Sequence, residues 1–155
     1  MMPRATNQRL RIHQAGNEES DMRSAKIVMA TALVLAACGG TAVTEVGIGD
    51  CFDDPDSNVV SSLDLIDCAE PHDNEVFAEV IMSGSSFPGD DGVAEFAFEA
   101  CFDPFEAYVG EPYAESPLDY VYLGPTQESW EEGDRSVLCV LYAADLAKLT
   151  GSARS

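Results

Sequence analysis

Five cysteines and two histidines bound the chemistry open to this 155-residue chain. Cys51, Cys68, Cys101 and Cys139 are spaced by 17, 33 and 38 positions with no Cys-x-x-Cys pair, which indicates neither a zinc knuckle nor a thioredoxin-type redox motif. In an oxidising compartment four such cysteines form two disulfides. Three connectivities exist, and the expected one is Cys51–Cys68, joining two neighbouring strands, with Cys101–Cys139, tying a helix to a sheet. His72 lies in Pro71-His72-Asp73-Asn74-Glu75, where an imidazole flanked by carboxylates could hold a metal or form an acid–base pair. A turn histidine hydrogen-bonded to its own loop needs fewer partners and is the preferred reading. No Gly-x-Ser-x-Gly elbow is present, so no serine hydrolase is indicated. Asp53-Asp54-Pro55-Asp56-Ser57-Asn58 is rich in oxygen ligands. Pro55 takes a ligand position, however, and the Gly and terminal Glu of an EF-hand are missing, which leaves a solvated turn. Arg135 is expected to pair with a carboxylate. His72, Glu75, Trp130 and Arg135 are the candidate partner-binding residues, and no catalytic, cofactor or metal role is assigned to any residue.

Cys38 stands apart from the other four. Residues 1–21 are polar, without apolar period, and read as a disordered extension or a mis-called start before Met22. Arg23 and Lys26 then precede an apolar run of 11 residues over 27–37, a secretory-signal layout too short for the roughly 20 residues of a membrane span. Leu35-Ala36-Ala37-Cys38 closes it and resembles the lipobox of bacterial lipoproteins. The resemblance implies cleavage before Cys38 and acyl chains on it, hence a protein anchored by lipid to the extracytoplasmic face of the cell membrane.

Cleavage there leaves 118 residues, enough for one domain. They carry three basic residues against 25 acidic ones, a net charge of −22. Such a field repels phosphates, so nucleic acid is excluded as a partner and cations or a basic protein surface fit better.

The elements that must position these residues follow from period and punctuation. Residues 38–47 read as a lipidated tether of small residues, with the domain spanning 48–152. A turn is expected around 71–74, after a strand near 63–66. The strand beyond it should show Val76, Ala78, Val80 and Met82 on one face and Phe77, Glu79 and Ile81 on the other. Val93, Phe96, Ala97, Ala100, Cys101 and Phe105 recur at helical spacing, with Asp90 or Asp91 as cap; Asp103-Pro104 suggests a second short helix ending at Gly110. The aromatic group Phe96, Phe98, Phe102, Phe105 and Tyr108 reads as core packing rather than a ligand box. Residues 118–123 form a strand with Tyr120 and Tyr122 on one face, Thr126 caps a short helix stopped by Gly133, and 136–143 is apolar enough for a central strand covered on both faces. Residues 145–155 read as a tail. The fold class expected is α+β: a small antiparallel sheet of four or five strands, one main helix packed on it and two disulfides.

Several of these segments together resemble the septum-formation domain of high-GC Gram-positive bacteria: Gly49-Asp50-Cys51-Phe52, Cys68-Ala69-Glu70-Pro71-His72-Asp73-Asn74-Glu75-Val76, Phe105-Glu106-Ala107-Tyr108-Val109-Gly110, Pro125-Thr126, Trp130, Gly133-Asp134-Arg135 and Cys139. The similarity covers about residues 46–152. It implies a membrane-tethered cell-envelope protein linked to division and supplies no catalytic residues; the expected function is a non-enzymatic, lipid-anchored envelope module that binds a protein or wall partner during growth or division, with a basic envelope or division protein as its partner. The alternative is a small metal- or ligand-binding lipoprotein that uses His72 and neighbouring carboxylates.

Overall fold

The computed structural model describes residues 12–14, 40–57 and 59–155; the segment 22–37, read as a signal, and Cys38 lie outside the described residues. The chain runs β1 (Ile12–Gln14), β2 (Thr41–Ala42), a 3-10 turn (Val43–Glu45), β3 (Cys51–Phe52), β4 (Val59–Val60), β5 (Ser62–Leu63), β6 (Leu65–Ile66) and β7 (Asn74–Ile81), then α1 (Asp90–Ala100), α2 (Phe102–Val109), β8 (Leu118–Pro125), α3 (Gln127–Glu131) and β9 (Ser136–Ala143). Strands β8, β9, β7, β3 and β6 make an antiparallel sheet of five, as the α+β reading expects. Strand β1, from the segment read as lying outside the fold, joins parallel to β8 and β4, while β2 and β5 form a separate pair.

Strand β9 sits at the centre because nearly every side chain it carries is apolar. Leu138 and Val140 face one way, while Val137, Cys139 and Leu141 face the other. The helices cover the second face. There, Val93, Ala97, Cys101 and Phe105 recur every four residues and are buried, so one apolar stripe runs through α1 and α2 and the chain bends at Cys101 between them. The Cys101–Cys139 disulfide fastens that bend to β9. Gly124 of β8 has no room for a Cβ, which would sit 2.7 Å from Val93 Cγ1, and this absence lets α1 approach the sheet closely. Gly110 ends α2 at φ 81°, a left-handed cap.

Four expectations need correction. Helix α1 is capped by Gly89 without a side-chain bond, and Asp90 and Asp91 lie in its first turn, where their charge suits the positive end of the helix. Helix α2 begins at Phe102, so Pro104 is inside its first turn, where the missing N–H costs no helical bond. Residues 40–47 are not a loose tether: Val43 and Val46 are buried with Phe52, Val60, Leu63 and Val76 beneath the other sheet face. Finally, β7 does not alternate regularly. Val76 pairs with Val140 and Ala78 with Cys139, leaving Phe77 as an extra residue in a bulge. Val76 therefore faces the N-terminal layer while Phe77 and Ala78 both face the helices.

Candidate functional site

The chain reversal before β7 falls at 67–70, not at 71–74. Asp67 makes it, its Oδ1 accepting the Ala69 N–H at 2.9 Å and its carbonyl accepting the Glu70 N–H at 2.8 Å. Beyond it the chain passes under the C-terminal residues, which form a strap. His72 and Leu149 exchange backbone hydrogen bonds of 3.1 and 2.8 Å, and the Gly151 N–H donates to the Cys68 carbonyl at 2.6 Å. These bonds place His72 and Glu75 in the interior, both with no exposed surface.

Glu75 is a buried carboxylate with its needs met. Oε1 accepts the Tyr108 hydroxyl at 2.6 Å and the Ser152 hydroxyl at 2.5 Å, and Oε2 accepts the Ala153 N–H at 2.7 Å. Such a set offsets much of the desolvation of a buried charge. It also acts back on Tyr108, whose pKa is raised above 10.0, first by burial and next by its bond to Glu75. The Arg154 guanidinium lies 4.8 Å above the Tyr108 ring and closes the strap.

His72 places Nδ1 at 2.8 Å from the Glu70 carbonyl, which makes Nδ1–H the donor and fits the expected turn histidine. Among the described residues Nε2 has no hydrogen-bond partner. A His72 ring nitrogen, Cys51 Sγ and a Glu75 oxygen all lie within 4.8 Å of one another. The donor chemistry does not suit a metal in this state: Cys51 is bonded to Cys68 and offers no thiolate, and the Glu75 oxygens already accept three hydrogen bonds.

Trp130 and Arg135 belong elsewhere. Arg135 precedes β9, and its carbonyl accepts the Met82 N–H just past the end of β7, whereas Glu75 is near the start of that strand. Six residues of strand, on the order of 20 Å, separate the two places, so the four candidates are not one site. The Arg135 guanidinium stacks 3.7 Å over the Trp130 ring and donates to the carbonyls of Gly84, Trp130 and Asp134. Among the described residues it pairs with no carboxylate, contrary to expectation. It borders an open groove of about 770 Å³ with Phe87, Asp90 and Glu131. The aromatic group is divided: Phe105 and Tyr108 are core, Phe96 is partly buried against the Trp130 cluster, and Phe98 and Phe102 are about half exposed.

The acidic turn after β3 is bound within the protein. Lys148 of the strap donates to Asp53 and Asp73, the Asp54 N–H donates to Asp73, and Asn74 donates to Asp54 Oδ1. The strap itself was missed in the sequence, where only the apolar Leu149 and the small residues after it hinted at packing.

The fold and site together define a small α+β domain stapled by two disulfides, with a carboxylate, an imidazole and a disulfide gathered under its C-terminal strap. Residues 48–155 match the family described as Septum formation, and the chain belongs to that family. No curated protein and no solved structure is a significant match.

Proposed function

We propose that this septum-formation-family protein is a non-enzymatic module of the high-GC Gram-positive cell envelope, lipid-anchored through Cys38 on the extracytoplasmic face. It binds a protein or wall component during growth or division. Among the described residues no helix is long and apolar enough to cross a membrane, and the Leu35-Ala36-Ala37-Cys38 motif supplies the attachment. The observation that carries the binding role is the groove at Arg135. There a guanidinium held by three carbonyls and an indole has no carboxylate partner among the described residues, beside half-buried Phe87 and the acidic side chains of Asp90 and Glu131. Aromatic and arginine side chains in such a setting are the usual energetic centres of protein interfaces. Buried His72 and Glu75 support the fold and are not contact residues. Crosslinked pull-down from cells tests the proposal: Arg135→Ala should lose the captured partner while the protein stays at the membrane, and Cys38→Ala should release the protein from the membrane. Identical capture by wild type and Arg135→Ala would sink the groove, and unchanged detergent partitioning of Cys38→Ala would sink the anchor.

A further inference from the structure

The two disulfides differ in how they meet solvent. Cys101 and Cys139 are both fully buried, the inaccessible kind of staple. In the other pair Cys51 is buried at 1% exposure while Cys68, on the turn that follows β6, is partly exposed. Within 4.8 Å of the buried sulfur stands a ring nitrogen of His72, a wholly buried side chain whose Nε2 has no partner among the described residues. An unpaired polar nitrogen at such depth is costly to the fold and calls for an explanation. Beside both stands the Glu75 carboxylate, fixed by three donors and within 4.8 Å of Cys51 Sγ and of a His72 ring nitrogen.

We infer that Cys51–Cys68 is a thiol–disulfide exchange site, with Cys68 as the sulfur attacked from solvent, Cys51 as the leaving sulfur and His72 as the group that protonates it. The incoming thiol loses its proton to solvent, and its thiolate sulfur attacks Cys68 Sγ on the side away from Cys51. The Cys51–Cys68 bond breaks with its electron pair passing to Cys51 Sγ, and a new disulfide joins the incoming sulfur to Cys68. A solvent proton reaches Cys51 through the His72 imidazole, whose transient positive charge the Glu75 carboxylate offsets. One disulfide is consumed and one formed, so the thiol is the only co-reactant. Exchange rates depend on which sulfur is accessible and on the fate of the leaving thiolate; the partly exposed residue is Cys68, and beside the Glu75 carboxylate the Cys51 thiolate departs only as it is protonated. Gly49 provides a further feature: its carbonyl oxygen lies 4.0 Å from Cys51 Sγ, a contact that becomes a hydrogen bond once Cys51 carries a proton. The exchange is stoichiometric and reversible, and it does not depend on the Arg135 groove.

Charge sets the class of thiol. Cys68 lies between Asp67 and Glu70, both exposed, on a strongly acidic chain, so thiols on a cationic carrier are favoured over anionic ones. The test treats the native, full-length protein with cysteamine and, separately, with 3-mercaptopropionate, quenches with iodoacetamide and maps the peptides by mass spectrometry. Expected are adducts on Cys68 and alkylated Cys51, at least about a hundredfold faster than any opening of Cys101–Cys139, which must await deep unfolding. At low salt cysteamine should lead 3-mercaptopropionate several-fold, the gap narrowing as salt screens the field. His72→Gln, which can donate a hydrogen bond but cannot relay a proton, should slow the exchange by tenfold or more. Opening of both disulfides at one rate, or adducts on Cys51, would overturn the proposal in the wild-type protein alone. A folded His72→Gln variant that exchanges at the wild-type rate would overturn the part assigned to the imidazole.

Discussion

Ending the chain at Gly151 removes two of the three donors to Glu75 and leaves a buried carboxylate with Tyr108 alone. A hydrogen bond to a charged group contributes about 1.5–3 kcal/mol, so the two lost bonds contribute about 3–6 kcal/mol, and the Arg154 and Ser155 contacts with Tyr108 go with them. The truncation also opens the site, and water entering it replaces part of what is lost. A destabilisation of about 3 kcal/mol is therefore expected, a large share of the roughly 5–15 kcal/mol that holds a domain together. Ser152→Ala removes one donor and keeps the strap in place, so about 1.5 kcal/mol is expected there. Urea unfolding at neutral pH reads both. With a slope of about 1.5 kcal/mol per molar, the truncated chain should lose about 2 M from its midpoint and the point variant about half that. Repeating both changes in a Glu75→Gln background identifies the cause, because a neutral amide makes weaker use of the same donors and the two losses should shrink together. A truncated chain that unfolds within about 0.3 M urea of the full one would refute the reasoning, as would an equal loss in the Glu75→Gln background.

Phe105 is fully buried at the centre of the helix–sheet contact, meeting Phe77 edge-on at 5.6 Å and Tyr113 at 5.3 Å, and Phe105→Ala should cost about 3–5 kcal/mol in the same urea assay. High pH should destabilise the fold, as a melting series from pH 8 to 11 can check. Burial raises the pKa of Tyr108, Tyr113 and Tyr120 above 10.0, with Glu75 adding to it for Tyr108 and Asp119 for the other two, so the folded state keeps protons that the unfolded chain gives up. Lys148, held mainly by Asp53, shifts the same way. This stabilisation is complete below pH 10 and declines as pH rises towards the folded-state values; a flat melting temperature from pH 9 to 11 would contradict it. Salt should stabilise: 25 acidic residues against three basic ones from 38 onward repel one another, and raising ionic strength from about 0.01 to 0.15 M cuts the screening length from about 30 to 8 Å. A gain of about 1 kcal/mol, several degrees of melting temperature, is expected, and a fall would show that the Lys148 pairs outweigh the repulsion.

What the sequence disclosed was what local chemistry writes into it. The apolar run 136–143 became a strand buried on both faces, Thr126 became a cap through its reciprocal bonds with Ser129, and the spacing of Val93, Ala97, Cys101 and Phe105 became one buried stripe. The disulfides pair as expected because each links elements adjacent in the sheet or packed on it. The bulge at Phe77 was hidden, since a bulge depends on how two strands register and a single strand's alternation does not report it. The strap was hidden for a related reason. Its hold rests on backbone groups of Leu149, Gly151, Ala153 and Ser155 meeting partners far away in sequence, and backbone groups carry no residue signature. Glu75 looked like one acidic residue among many, and only Tyr108, 33 positions on, and Ser152, 77 positions on, distinguish it.

Three Lys and Arg side chains fall among the described residues, and their scarcity sharpens the role of each. Lys148 reaches from the strap to Asp53 after β3 and Asp73 before β7. Arg154 reaches from the strap to Tyr108 on α2, and Arg135 joins the loop at Gly84 to the end of α3. Each of the three therefore clamps segments that the sheet alone would not hold together, and two of the three clamp the strap. Most of the carboxylates repel one another across the surface, so a segment crossing that surface stays down only where a cation or a buried acceptor receives it. The strap has both, Lys148 and Arg154 at its ends and Glu75 beneath it. The order of cause then runs from charge to strap, from strap to the burial of Glu75 and His72, and from that burial to the imidazole beside Cys51, whose Nε2 has no partner among the described residues.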